Sequence, residues 1–409
     1  MLHDDNELLS RVGPGTPMGA FMRKFWVPAL PSSELETDGD PRLVRLLGQS
    51  MVAFRAGDGR VGVFDEGCPH RGVSLVLAHN KDCALTCIFH GWKIDVSGKV
   101  VDVPAEPPER RAAFAQRVKV RSYPVRETAG IVFVWMGEGE AAPFPAFQWA
   151  ALPPSHVRAT CGIIRANWLN GLEGQLDSAH VGILHSDWIN RGQDFGKSNI
   201  DRTSLDLAPR FEFEEQPYGY REAAVRAMPD GQAYVRVREF VMPWSSYIPQ
   251  QGGRAAPQLM TMSVPIDDET SAQWDVRYTL TKPIEPSTLP GGNAPIFQDL
   301  TRTMGDAATR FGQERQRIHA GKWSGFPSVR HEDYAIAMSQ GAIPDRSREH
   351  LSTSDASIVR ARRVLRDAVR AGAEGRALGC FEDAIDWGRV RSFAEVVPAG
   401  ADWRSLPRG

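Results

Sequence analysis

The chain has 409 residues, 42% hydrophobic and 24% charged, with a formal net charge of −2 at pH 7, which suits two globular domains with cores of their own. Near-neutral charge excludes the basic footprint expected for nucleic-acid or anionic-membrane binding, and no apolar run approaches the ~20 residues that span a bilayer. The N-terminus has neither a basic nor an apolar leader, so the cytoplasm is the expected location.

In chain order, residues 1–140 read as an N-terminal segment and an all-β domain. Residues 43–68 suggest three strands with a Gly57-Asp58-Gly59 turn, a hairpin follows around Ser97-Gly98, and residues 118–137 supply two more strands rich in β-branched side chains. Two loops between these strands carry Cys68-Pro69-His70 and Cys87-Ile88-Phe89-His90, with sixteen residues between His70 and Cys87. In a Rieske [2Fe–2S] centre two cysteines hold one iron and two histidines the other. Here each loop offers one ligand to each iron. A structural Cys2His2 zinc site uses the same residue types, but zinc pairs usually keep two or more residues between ligands, and Cys68 and His70 are separated by one. The other three cysteines, Cys83, Cys161 and Cys380, are scattered and odd in number, as in a reducing compartment.

Residues 137–155, rich in Gly, Ala and Pro, read as the boundary of a second domain over 141–409. Helices are predicted over 167–185, 294–320, 331–340 and 354–371, with several strands in 210–282. This is an α+β pattern, an antiparallel sheet with helices on one side. The segment Asp177…His180…His185 is its chemical core. On a helix Asp177 and His180 share a face, whereas His185 lies about 140° further round. Both imidazoles meet one ion only if the helix ends or bulges between them, and Gly182 is the expected place. Two histidines and a carboxylate with open positions form the facial triad of non-haem Fe(II) oxygenases. Composition does not choose the carboxylate among Asp299, Asp306, Glu314, Glu332, Asp333, Asp345 and Asp355.

CPHRGVSL…CIFHGWKID resembles the N-terminal domain of Rieske non-haem iron oxygenases, and the resemblance continues through D-x2-H-x4-H to the D-R-S-x-E-H-L stretch at 345–351. The similarity is to the phthalate, chlorobenzoate and phenoxybenzoate dioxygenase branch. It implies an all-β [2Fe–2S] domain (Cys68, His70, Cys87, His90) and a helix-grip catalytic domain whose Fe(II) is held by His180, His185 and Asp333. By the same resemblance Asp177 bridges the iron site to a Rieske histidine of a neighbouring subunit in a cyclic homotrimer. A flavin or ferredoxin reductase would donate electrons, and O2 with an aromatic substrate would react. Two departures are Met338 in place of a common Glu and Ala342 in place of a Pro. Relatives that take aromatic carboxylates call for an arginine in an apolar pocket. Arg236 and Arg238 share one strand face and are candidates with Trp244, the competing reading being that both point to solvent. Dihydroxylation, hydroxylation and O-demethylation all fit the triad. A Rieske electron carrier without its own oxygenase chemistry remains the alternative of another class.

Overall fold

The computed structural model describes residues 1–189, 201–250, 257–286, 295–381 and 385–407. Contacts divide the chain into two compact units, Gly13–Gly15 with Met22–Phe144, and Met1–Val12 and Thr16–Phe21 with Pro145–Gly409. Helix α1 (His3–Ser10) therefore belongs with the second unit, where its Leu9 carbonyl accepts from the buried Trp168 indole at 3.1 Å. A short α2 (Pro17–Met22) follows it.

The smaller unit is built from three antiparallel sheets. One joins β1 (Trp26–Pro31) to β10 (Ile131–Trp135) and β9 (Val125–Thr128); another joins β2 (Arg42–Leu46), β3 (Gln49–Arg55) and β4 (Val61–Asp65). The third is β5 (His79–Lys81), β6 (Ala84–Thr86), β7 (Lys93–Asp95) and β8 (Val100–Asp102), and its flanking loops carry the Cys/His clusters. The turn at Gly57–Gly59 lies between β3 and β4 as expected, with Gly59 at φ +85°. One helix, α3 (Pro108–Ala115), interrupts the strands; a proline at its first position is already set for helical φ. Phe54 and Phe64 pack edge to face at 5.5 Å inside a core that includes Leu75, Leu85, Trp92 and Ile94.

The larger unit carries a nine-stranded sheet. Its strands are β11 (Val157–Ile164), β12 (Arg210–Gln216), β13 (Gly219–Ala227), β14 (Gln232–Val241), β15 (Ser245–Tyr247), β16 (Gln258–Pro265), β17 (Ser271–Tyr278), β18 (Phe297–Asp299) and β19 (Phe393–Pro398). The order is β12-β13-β14-β15-β16-β17-β11-β18, with β19 also on β14; among the described strands only the β11–β18 pair is parallel. Helix α4 (Trp168–Leu176) packs on β15–β17. The single turns α5 (Val181–Leu184) and α6 (Ser186–Ile189) continue from it, and α7 (Arg315–His319), α8 (Val329–Ser339) and α9 (Ala356–Ala373) complete the helices among the described residues. α4 lies close to the sheet because residue 171 is glycine: a Cβ there would run into Ser263 and Gln273.

Two helical expectations need correction. The described part of 294–320 is mostly turns, with β18 and the five-residue α7. Gly305 and Gly312 adopt φ of +72° and +78°, and Asp306 caps a turn by accepting from the Ala308 and Thr309 amides, all of which break a helical run. The predicted 167–185 helix ends at Asp177 (φ −79°, ψ 115°), before His180, while Gly182 is helical inside α5. Glycine is still required at 182, because a Cβ would stand 2.5 Å from the Thr203 carbonyl.

Candidate metal centres

The two Cys/His loops of the smaller unit share one backbone design. In the first, the Cys68 amide donates to Val73 O at 2.7 Å and the Gly72 amide to Cys68 O at 2.8 Å. In the second, the Cys87 amide donates to Trp92 O and the Gly91 amide to Cys87 O, both at 2.9 Å. Each loop thus closes on its cysteine carbonyl through a glycine at positive φ, +74° at Gly72 and +70° at Gly91, where a side chain would be strained. The loops bring the His70 and His90 rings to 4.6 Å, and Trp92 stacks on His70 at 4.8 Å, nearly parallel. Both cysteines are buried; burial, reinforced by the adjacent Cys87 thiol, pushes the Cys68 thiol up to about 11. His90 Nδ1 is buried with no hydrogen-bond partner among the described residues. Two adjacent buried thiols, with an imidazole nitrogen left without a hydrogen-bond partner among the described residues, fit a cluster that would replace the thiol protons and take up that nitrogen.

The second centre is built where α4 stops. Asp177 Oδ1 accepts from the Ala179 amide at 2.7 Å, starting the next turn, and its Oδ2 lies 3.3 Å from His180 Nδ1. Burial opposes ionisation of Asp177, but His180, the Ala179 amide and Arg238 hold its carboxyl below the usual range. His185 donates from Nδ1 to Glu332 Oε2 at 2.6 Å. With a carboxylate on each Nδ1, both Nε2 atoms are turned inward, 3.2 Å apart. Asp333 Oδ1 completes the triangle, 3.3 Å from His185 Nε2 and 3.7 Å from His180 Nε2. Three donors around one ion at ~2.1 Å would stand about 3.0 Å apart on an octahedral face. Lone pairs converging this closely repel unless a proton or a metal ion lies between them. For His185, burial works against a proton, yet Asp333 and Glu332 outweigh it and push its pKa up to about 9. His180, His185 and Asp333 thus form a cluster with the donor set of the facial triad.

The other carboxylates considered for this role have local tasks. Asp299 accepts from the Thr301 amide, Asp306 caps its own turn, and Glu314 pairs with Arg317 at 2.7 Å. Asp345 caps Ser347, and Asp355 forms a capping box with Ser352. The D-R-S-x-E-H-L stretch serves α4. Arg346 is fully buried against Glu173 (3.2 Å) and Asn170 (2.6 Å), and Arg362 links Glu173 at 2.7 Å to Glu349. His350 is exposed.

Arg236 and Arg238 are both buried, 3% exposed, so the solvent-facing reading fails. They share the sheet face that carries Arg226, and two of these arginines reach the loop before His180: Arg226 Nη2 donates to Ser178 O at 2.8 Å, and Arg238 Nη2 lies 3.5 Å from Asp177 O. Arg226 was the member of this cluster not singled out for substrate contact; its strand alternation with Arg236 and Arg238 across β13 and β14 was the available signal. Burial, then Arg236, pulls the Arg226 guanidinium down to about 10. Arg226 Nη1 and the Nε and Nη1 atoms of Arg236 and Arg238 lack partners among the described residues. Arg221 is on the opposite face, paired with Glu214 and Glu239. Trp244 is buried in the β14–β15 turn, where its carbonyl accepts from the Ser263 amide.

Fold and site together define a protein with an N-terminal [2Fe–2S] domain and an α+β domain carrying a two-histidine, one-carboxylate centre. Residues 25–124 match the Rieske [2Fe-2S] domain, and residues 134–408 match the family described as LigXa C-terminal domain like. The chain is 38% identical to the oxygenase subunit of phthalate 4,5-dioxygenase from Pseudomonas putida, over 98% of this chain and 93% of that one. It is 35% identical to the oxygenase subunit of 3-chlorobenzoate-3,4-dioxygenase from Comamonas testosteroni, over 99% and 97%. A solved complex of the carbazole 1,9a-dioxygenase oxygenase with ferredoxin has the same fold, with a TM-score of 0.56, 20% identity and coverage of 88% and 95%. The chain belongs to the Rieske non-haem iron oxygenases, as an oxygenase subunit. It is an oxidoreductase whose cofactors are a [2Fe–2S] cluster and a mononuclear iron, which removes the zinc and electron-carrier readings. No helix among the described residues is long and apolar enough to cross a membrane.

Proposed function

We propose that the chain receives electrons singly at Cys68, His70, Cys87 and His90, directs them to iron held by His180, His185 and Asp333, and oxygenates a small aromatic carboxylate. When bound, the cluster supplies one-electron transfer and the mononuclear iron supplies the centre that reacts with O2. The protein's part is to hold both imidazoles by their Nδ1 atoms, keep one side of the triad open at Asp333, and line the approach with fixed positive charge. Asp177 has a second task, linking His180 to a Rieske histidine of a neighbouring copy in a cyclic trimer. Ile88 and Phe89, 53% and 51% exposed beside His90, supply an apolar tip suited to such an interface. A ferredoxin or flavin reductase is the proposed donor, in keeping with the ferredoxin complex of the carbazole enzyme.

The observation that carries the substrate class is the Arg226, Arg236 and Arg238 cluster. Buried cations need anions, and the acids near these three guanidiniums, Glu222, Asp177 and Asp206, leave Arg226 Nη1 and the Nε and Nη1 atoms of Arg236 and Arg238 without hydrogen-bond partners among the described residues. A substrate carboxylate can accept bidentate hydrogen bonds from those nitrogens. The test is O2 uptake with a reductase and a panel of benzoates, phthalates and uncharged aromatic analogues. Uptake coupled to a carboxylate, with Arg238→Met raising KM about 10–100-fold, is the expected result. Coupled uptake with uncharged aromatics alone would sink the assignment. Counting atoms of labelled O2 in the product separates dioxygenation from hydroxylation or O-demethylation.

A further inference from the structure

Glu332, immediately before Asp333 in the first turns of α8, is wholly buried. A carboxylate in that position is costly unless every oxygen is paired. Oε2 accepts from His185 Nδ1 at 2.6 Å, while Oε1 accepts from Trp188 Nε1 at 3.1 Å and from the Ser324 hydroxyl. Three donors from three segments therefore meet on one side chain. Among the described residues His185 is its ionic partner; no lysine or arginine pairs with it. The same segments are joined a second time, because Asp187 Oδ2 accepts from the Trp323 amide at 2.9 Å and the Ser324 amide at 3.3 Å.

Consecutive helical residues point about 100° apart. α8 uses that angle to grip His185 from both edges, Glu332 at Nδ1 and Asp333 at Nε2. We propose that Glu332 is a positioning residue of the mononuclear site: it fixes the tautomer and ring angle of His185, while Trp188 and Ser324 lock the carboxylate in place. A carboxylate on the remote nitrogen also raises the basicity of the metal-facing one. This rests on the triad proposed above. Glu332 needs no bond to the metal to set how tightly the metal is held.

The test uses holoenzyme stripped of mononuclear metal with its Rieske cluster retained, titrated with Co(II). The high-spin Co(II) EPR signal is recorded with the cluster oxidised and therefore EPR-silent. Glu332→Gln is expected to weaken Co(II) binding about 10–100-fold and to change the EPR signal, with the Rieske absorbance unaltered. Trp188→Phe, which removes one donor and keeps an aromatic ring, should move both readouts the same way by less. Wild-type affinity in Glu332→Gln overturns the proposal. So does weaker binding with an unchanged signal, which would mark a packing defect. If the glutamine variant does not fold, Trp188→Phe decides by the same two readouts. Asp333→Ala is the parallel arm. Co(II) retained there overturns the triad reading and this proposal with it, whereas Co(II) lost there but bound normally by Glu332→Gln overturns only this proposal.

Discussion

Each triad imidazole has one nitrogen on a carboxylate and the other facing the ion position, so the three acids around the site have different tasks and their removal should read differently. Asp333→Ala should lose mononuclear iron while keeping the visible Rieske spectrum, because the cluster ligands lie in the other unit. Metal analysis with optical spectra checks this, and iron retained with activity would move the ligand elsewhere. Asp177→Asn keeps the shape but loses the charge facing His180 Nδ1 at 3.3 Å. With Fe(II) in excess both iron sites should still fill while electron transfer between them falls about 10–100-fold, read in a single-turnover experiment starting from reduced cluster; transfer at the wild-type rate would end the bridging assignment. Clusters such as Cys68-Pro69-His70 were legible in the sequence because their donors lie within one loop and spacing alone carries the chemistry. Asp333 was legible only through the family resemblance, since seven acids were equivalent on composition, and the fold adds that five of them cap turns or pair locally while Glu332 faces the back of His185.

At the level of elements, β12, β13, β14 and β17 and the helices α8 and α9 follow from alternation and helical periodicity, but the helix before His180 does not. The 167–185 pattern pointed to a break at Gly182 rather than to the stop at Asp177, whose side chain competes for the Ala179 amide and begins a new turn. β16 is buried along its whole length and so lacks the two-residue alternation by which a half-exposed strand is read. Arg236 and Arg238 carried a competing solvent-facing reading because charge on a strand ordinarily marks the outside. α4 also offers a stability test in which two effects oppose each other. Gly171→Ala gains about 1 kcal/mol of helix propensity. It also drives a methyl into Ser263 and Gln273, which are tied together at 2.8 Å and to the Trp168 carbonyl and Gln175. Breaking two or more buried hydrogen bonds costs about 1–3 kcal/mol each, so the clash wins. The variant should melt at lower temperature by calorimetry and bind mononuclear iron less tightly, because α4 carries the loop that holds His180; an unchanged or raised melting temperature would mean the sheet face yields freely.

Electron flow in the whole molecule is a question of which copy serves which. If Asp177 receives electrons from a neighbour's cluster, a chain with a dead triad and a chain with a dead cluster can rescue each other. Asp333→Ala supplies the first and His90→Ala, which removes one cluster ligand, the second. Each alone should be inactive. Co-expressed with separate tags and purified by both in succession, they should form mixed trimers that regain turnover. For random assembly in a cyclic trimer each interface is heterologous, pairing one copy's cluster with the next copy's triad. About a quarter of such interfaces then join an intact cluster to an intact triad, so activity should recover to roughly a quarter of wild type, rising somewhat because the two tags discard the uniform trimers. Transfer confined to one chain predicts none, since no chain in the mixture holds both sites. Size-exclusion chromatography of the mixture establishes that subunits have assembled. Inactive but correctly assembled mixed trimers would therefore reject transfer between subunits, and with it the proposed bridging task of Asp177.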